Sequence, residues 1–155
     1  MSQVSTRLLM PLDWPRLWPL LKGMGGQDSE DLAHSTFLDL LKDDRWLLLA
    51  ADVDGILVGY AAAQDFGPRL RASVSGRVAR LHDLFVDPGL RRTGVGRALM
   101  HGVTTWAGNR VSYLQWQAHE TSAAPFYERI GHRGSPCPQP DFPEFEIDFR
   151  QAGGA

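Results

Sequence analysis

The middle of the chain contains the segment Leu81-His82-Asp83-Leu84-Phe85-Val86-Asp87-Pro88-Gly89-Leu90-Arg91-Arg92-Thr93-Gly94-Val95-Gly96-Arg97. It predicts a buried strand over 78–86, which Asp87-Pro88-Gly89 ends, and then a helix over 93–107. The first turn of such a helix carries unpaired N–H groups and the positive end of the helix dipole. Gly94 and Gly96 leave those groups open to a ligand, while Arg91, Arg92 and Arg97 add positive charge. The segment therefore predicts a cradle for a diphosphate.

Two familiar phosphate motifs do not fit this loop. No Gly-Lys-Ser/Thr follows the glycines, so it is not a Walker phosphate loop. The dinucleotide fingerprint also fails, because its third glycine is missing and no acidic residue is suitably placed downstream. A tight strand-to-helix turn with surface arginines is the structural alternative, and Gly-x-Gly alone does not decide between the two.

The remaining elements place the segment in a mixed sheet covered by helices. Strands are predicted over 4–10, 46–52, 56–64, 111–118 and 145–149, with a two-residue hairpin turn at Asp54-Gly55. Helices are predicted from Asp13 to the glycines at 23–26, from Asp28 or Ser29 to about Lys42, and over 123–130 with Thr121 or Ser122 as cap. This order indicates an α/β (α+β) layer architecture with a right-handed parallel crossover from Leu81 to Trp116.

Length and charge exclude several classes of function. The 155 residues fit a single domain over 1–150, with 151–155 as a C-terminal tail. A net charge of -2 supplies no basic excess for nucleic acid. The longest strongly apolar runs, such as 46–51, are too short to cross a membrane, which favours a cytoplasmic location. Cys137, the one cysteine, is interpreted as an incidental thiol, and no metal site is predicted.

Two motifs carry a resemblance to a known family. Arg91-x-x-Gly94-x-Gly96 is similar to the signature of the GNAT acetyltransferases, and Leu84-Phe85-Val86-Asp87-Pro88 resembles the strand that precedes it. Ala123-Ala124-Pro125-Phe126-Tyr127-Glu128-Arg129-Ile130-Gly131-His132 is similar to the late helix of that family. One helix and one strand separate the motifs, as the family requires. The segment at His82-Asp83 is closest in motif to diamine and polyamine acetyltransferases, which carry Glu-Asp there.

The resemblance implies a GNAT-type, mostly antiparallel sheet in which two parallel strands, here 81–86 and 111–118, splay apart around acetyl-CoA. Main-chain groups of Leu84, Phe85 and Val86 would pair with the pantetheine arm. The pyrophosphate would lie on the loop and first helical turn, which comprise Arg91, Arg92, Thr93, Gly94, Val95, Gly96 and Arg97. The implied activity is direct transfer of the acetyl group to a primary amine in a ternary complex.

The resemblance also implies roles for individual side chains. Tyr127 would face the cofactor sulfur and act as general acid on the departing thiolate, although a core aromatic is the structural alternative. His82 stands where diamine acetyltransferases have their Glu, so it is either the general base or a structural histidine. Asp83 and a water chain remain alternatives for the base. Neighbours on a strand point to opposite faces, so we expect at most one of His82 and Asp83 to face the site directly.

Several departures from the family pattern affect the details of the site. Glu120 stands where many members have an Asn that contacts the cofactor, and His132 replaces the usual Phe. The acceptor is expected to bind at the junction of the first two helices, where Asp28, Glu30 and Asp31 cluster. Those acids are also what a capped, solvated helix end would carry. Trp116 is the tryptophan expected to touch a ligand.

Three other functions compete with catalysis. A catalytically inactive GNAT-fold module that binds CoA or acts as a sensor is the main alternative. A structural dimer partner and a nucleotide-binding protein are the others. The acceptor amine is not fixed, and it is a small molecule or a peptide. A homodimer is expected by analogy with the family only.

Overall fold

Six β-strands form one mixed sheet in the order in which they occur along the chain. The computed structural model describes residues 3–26, 28–71, 76–136 and 139–152. The strands are β1 Val4–Leu8, β2 Trp46–Val53, β3 Ile56–Asp65, β4 Val78–Val86, β5 Tyr113–Gln117 and β6 Glu144–Asp148. The pairs β1–β2, β2–β3 and β5–β6 are antiparallel, and β4–β5 is parallel. The fold class predicted from the sequence is confirmed.

The hairpin between β2 and β3 forms where the sequence places it. Asp54 has a φ of 52° and Gly55 a φ of 79°, and Val53 pairs with Ile56 across the turn. Two residues with positive φ make the turn whose twist matches the flanking strands, which is why Asp-Gly favours it.

The helices are α1 Trp14–Met24, α2 Glu30–Leu41, α3 Val95–Gly108, α4 Ala124–Arg129 and a short α5 Phe149–Ala152. Of the two candidate caps for α2, Ser29 caps the helix, because its side chain accepts from the Leu32 N–H. Gly25, with a φ of 110°, ends α1 in the left-handed conformation that glycine tolerates best.

One predicted cap is right in position only, and another is wrong. Asp13 occupies the N-cap position of α1, but its carboxylate accepts from Arg7 and from the Met10 N–H instead of capping the helix. A hydrogen bond between the charged guanidinium and the carboxylate is stronger than one from a neutral backbone N–H, which explains the difference. Ala123, rather than Thr121 or Ser122, is the N-cap of α4, and His119 Nδ1 lies within hydrogen-bond distance of both of those residues.

The chain divides into two compact units. The first comprises residues 1–64 and 82–106, and the second comprises 65–81 and 107–155. In the first unit, a core of large apolar side chains lies between α1, α2 and the strands, with Leu17, Phe37 and Tyr60 among its buried members. In the second, Trp116 and Phe145 stack at 5.5 Å between ring centroids and are fully buried.

A buried charge cluster organises the start of the second unit. Asp65 is completely buried, and it accepts two hydrogen bonds from Arg77, at 3.0 and 2.7 Å, and one from Arg110, at 3.2 Å. The Gly67 N–H donates to the same carboxylate. A buried carboxylate is stable only when it is paired in this way, so the cluster fixes the approach to β4.

Candidate active site

The turn after β4 is fixed by hydrogen bonds around Asp87. The Asp87 N–H donates to the Val58 carbonyl at 2.8 Å, which ties the end of β4 to β3. The Asp87 side chain accepts from the Gly89 N–H, and its carbonyl accepts from the Leu90 N–H, closing the 3₁₀ turn Pro88–Leu90. Arg91 then folds back, donates to the Val86 carbonyl at 3.2 Å and lies over the Phe85 ring. The chain is thereby turned from the strand into the loop that precedes α3.

The loop before α3 has the backbone shape of an anion cradle. Arg92 has a φ of 65° and Gly94 a φ of 94°, so both adopt the left-handed region. The first backbone bond of the helix is donated by the Ala98 N–H to the Gly94 carbonyl at 3.0 Å. In the described part of the chain, the N–H groups of residues 93–97 have no hydrogen-bond acceptor. Open N–H groups at a helix start are the donors that phosphate oxygens need.

Packing holds the start of α3 close to the sheet. Val95 is 1% exposed and Leu99 is completely buried, while Arg91, Arg92 and Arg97 remain exposed. A Cβ on Gly59 would lie 2.9 Å from the Phe85 carbonyl oxygen and 3.2 Å from the Val95 side chain. This close approach requires glycine at position 59, and it sets the N-terminus of α3 beside the end of β4.

His82 and Asp83 both face one pocket, which corrects the expectation that only one of them would. His82 Nε2 lies 2.9 Å from Gln64 Oε1, and its ring stacks on Trp46 at 5.1 Å. Asp83 accepts from the Tyr60 hydroxyl at 3.0 Å. Gln64 and Tyr60 are four positions apart and so share a face of β3. Strict alternation therefore fails at this pair, as happens where a strand is locally irregular.

The pocket has a volume of about 470 Å³ and lies within the first unit. Leu17, Trp18 and Leu21 of α1 form one wall, and Phe37 and Leu40 of α2 form another. Trp46, Leu48, Tyr60, Ala62, His82 and Asp83 form the sheet side. Gly25, Gly26 and Asp28 contribute from the junction of the two helices, where the sequence predicted the acceptor site.

Burial and charge fix the protonation of Tyr60. The residue is 2% exposed, and burial together with the adjacent Asp83 carboxylate raises the pKa of its phenol above its usual range. The phenol therefore stays protonated and donates to Asp83. Sequence reasoning did not single out Tyr60, Trp46 or Gln64. A tyrosine within the apolar run over 57–63 could have marked a buried hydroxyl that needs a hydrogen-bond partner. That the partner is Asp83 depends on how β3 pairs with β4, which the sequence alone does not show.

Tyr127 lies in the second unit. It is 6% exposed, and its ring contacts those of Trp116, Phe126 and Phe145 at centroid distances of 5.2, 4.9 and 5.4 Å. Burial raises the pKa of its phenol above the usual range. Among the described residues its hydroxyl has no hydrogen-bond partner.

The other residues that the sequence singled out differ in their burial and hydrogen bonding. Glu120 is exposed, and its N–H donates to the Asp141 carbonyl. Trp116 is 1% exposed, and its Nε1 is buried without a partner among the described residues. Cys137 lies outside the described residues.

Within the described ranges, no group of three or more His, Cys, Asp or Glu side chains could hold a metal ion. No helix formed by described residues is long and apolar enough to cross a membrane.

Comparisons with known proteins give the family context. The chain is 31% identical over 96 residues to an uncharacterized N-acetyltransferase of Methanocaldococcus jannaschii, a match that covers 59% of this chain and 41% of the relative. It is 30% identical over 95 residues to an aminoglycoside N(6')-acetyltransferase type 1 of Salmonella typhimurium, covering 61% of each. The match thus spans about half the length of these curated relatives.

A solved structure has the same fold. The PaiA N-acetyltransferase from Thermoplasma acidophilum, in complex with coenzyme A, superposes with a TM-score of 0.71 at 14% identity, over 94% of this chain and 99% of that one. The model of the acetyltransferase (GNAT) family matches residues 14–132, which include β4, the whole loop before α3 and α4. Because that match covers well over half of the sequence, the chain belongs to the GNAT acetyltransferase family.

Proposed function

We propose that the chain transfers an acetyl group from acetyl-CoA to a primary amine, by direct attack of the amine in a ternary complex. The observation that carries the proposal is the row of open N–H groups at residues 93–97, beside Gly94 with its φ of 94°. These donors and the exposed arginines Arg91, Arg92 and Arg97 fit a diphosphate. The coenzyme A bound in the Thermoplasma acidophilum structure supports the same ligand.

The rest of acetyl-CoA would run along β4. Main-chain groups of Leu84, Phe85 and Val86 would pair with its pantetheine arm, as an added strand pairs with a sheet. A main-chain N–H near Phe85 or Val86 would donate to the thioester oxygen as it gains negative charge.

Two side chains would move the protons. His82 Nε2 lies 2.9 Å from Gln64 Oε1, and this contact orients the imidazole at the pocket. In the proposed reaction His82 removes a proton from the ammonium, the neutral nitrogen attacks the thioester carbon, and the C–S bond breaks. Tyr127 gives its proton to the departing thiolate, and its phenolate then takes the second proton from the nitrogen that becomes the amide. Its raised pKa supports an acid that stays protonated at neutral pH.

The acceptor would bind in the pocket between α1, α2 and the sheet. The Salmonella relative is named for aminoglycosides, and the motif at His82-Asp83 resembles that of diamine acetyltransferases. Both classes therefore belong in a panel of acceptors. A homodimer, a cytoplasmic location and a single catalytic domain over 1–150 with a tail at 151–155 stay predictions.

The test is an amine panel with acetyl-CoA, reading the release of free CoA thiol. An N-acetyltransferase releases thiol in proportion to the amine acetylated, and mass spectrometry of the amine shows a gain of one acetyl group. Binding of CoA without amine-dependent thiol release would favour the inactive CoA-binding or sensor module instead. Absence of CoA binding would contradict both.

A further inference from the structure

The pocket in the first unit has an unusual balance of apolar surface and charge. Its walls are mostly leucine and aromatic side chains, and its carboxylates are Asp28 and Asp83. No lysine or arginine occurs among its described lining residues. A ligand in this pocket therefore meets negative charge and apolar surface, with few partners for hydroxyl groups. Each ligand hydroxyl buried here without a partner would weaken binding.

Asp83 is held as a fixed anchor in this pocket. Its Oδ2 accepts from the buried Tyr60 hydroxyl at 3.0 Å, so the carboxylate has one preferred orientation. It is only half-buried, which leaves the group accessible from the pocket. A carboxylate fixed at an apolar surface is a specific partner for one ammonium group.

Aromatic rings supply the rest of the surface. Trp46 stacks on His82 at an interplanar angle of 23°, and both rings line the pocket. Trp18 lines the opposite side and is half-buried, as is Trp46. Half-buried tryptophan rings gain most from a ligand that covers them with its own apolar or aromatic surface. The pocket volume of about 470 Å³ accommodates such a body.

We propose that the acceptor is an arylalkyl primary amine, with its ammonium on Asp83 and its aromatic body between Trp18 and Trp46. This inference rests on the proposed acetyl transfer. It separates the expected acceptor from polyhydroxylated aminoglycosides, which need many polar partners. The inference also distinguishes the expected acceptor from diamines, whose short chains would leave much of the apolar wall uncovered.

The experiment compares 2-phenylethylamine, putrescine, kanamycin and a peptide with N-terminal alanine as acceptors. We expect kcat/KM for 2-phenylethylamine to exceed that of each competitor by about tenfold or more, the size of effect that filling an apolar pocket gives. A preference for putrescine, kanamycin or the peptide would overturn the inference while leaving acetyl transfer intact. No thiol release with any amine would instead contradict the proposed function.

A binding measurement tests the pocket without turnover. Calorimetric titration of 2-phenylethylamine, in the absence of acetyl-CoA, should show binding that Asp83→Asn weakens about tenfold or more, as expected for a hydrogen bond to a charged group. Asp39→Asn makes the same chemical change at an exposed site outside the pocket and should leave binding unchanged. The inference fails if both variants bind alike, or if neutral 2-phenylethanol binds as tightly as the amine. Thermal unfolding of each variant checks that it is folded.

Discussion

Tyr127 is the residue on which the proposed chemistry depends most. Three aromatic rings hold it in place, and phenylalanine keeps all of those contacts while removing the hydroxyl. We expect Tyr127→Phe to lower kcat by about 10² to 10⁴, the range for loss of a general acid. The Kd for CoA, measured by calorimetry, should stay within twofold. An unchanged kcat would show that Tyr127 is only a core aromatic.

The same residue predicts how turnover depends on alkaline pH. Burial raises the pKa of the Tyr127 phenol above its usual range, so the folded protein keeps the acid form to higher pH than an exposed tyrosine would. We therefore expect kcat to hold from about pH 8 to about pH 10, where a phenol of ordinary pKa already ionises. The measurement is kcat against pH with saturating amine. A decline across that interval, present in the parent and absent in Tyr127→Phe, would contradict the assignment.

Asp65 illustrates a residue that supports the fold rather than the chemistry. Burial opposes its ionisation, but the hydrogen bonds from Arg77 and the Gly67 N–H outweigh burial, so the pKa of Asp65 lies below its usual value. A carboxyl whose pKa is lowered by folding adds stability above its unfolded pKa and loses it as pH falls through the folded value. Its contribution is therefore present at neutral pH.

We expect Asp65→Asn to lower the free energy of unfolding by about 3 kcal/mol at pH 7, because it removes the buried carboxylate to which Arg77 and Arg110 donate. Urea unfolding at pH 7 and in acid measures this. The difference in unfolding free energy between the variant and the parent should shrink as pH falls, since protonation of Asp65 removes the same ion pairs from the parent. Asp39→Asn, an exposed control, should stay within about 0.5 kcal/mol of the parent. A deficit that did not change with pH would contradict the role of the ionised carboxylate.

Among the helices and strands, the N-terminus of α3 is expected to bind the negatively charged diphosphate of CoA. Arg97 is exposed in the first turn of α3, and no acidic side chain among the described residues forms an ion pair with it. We expect Arg97→Glu to raise the Kd for CoA about tenfold or more, because charge reversal opposes the diphosphate at the positive end of the helix. Arg16→Glu reverses an exposed charge on α1 and serves as the control. Equal Kd values for the two variants would place the diphosphate elsewhere.

Elements with strong local signals could be predicted from the sequence. The Asp54-Gly55 hairpin and the strand over 78–86 occur where the pattern places them. Caps were predicted less well, because a side chain near a helix start can take another partner. Asp13 bonds to Arg7 of β1, a contact between elements that the local pattern does not contain.

At the scale of the whole molecule, the family and fold class follow from two motifs and their spacing, but the pocket does not. Its key contacts join residues far apart in sequence, such as Tyr60 with Asp83 and Trp46 with His82. They depend on strand register and on a local break in alternation along β4, which apolar periodicity does not reveal. The sequence placed the acceptor at the junction of α1 and α2, yet it did not indicate the aromatic character of that pocket.

Residue-specific amide spectra recorded during a titration with CoA show whether the loop before α3 binds the diphosphate. If the N–H groups of residues 93–97 bind the diphosphate, their proton resonances should move downfield as the complex forms, because each gains a charged acceptor. Resonances of the same residues that stay unmoved while calorimetry records CoA binding would contradict the account.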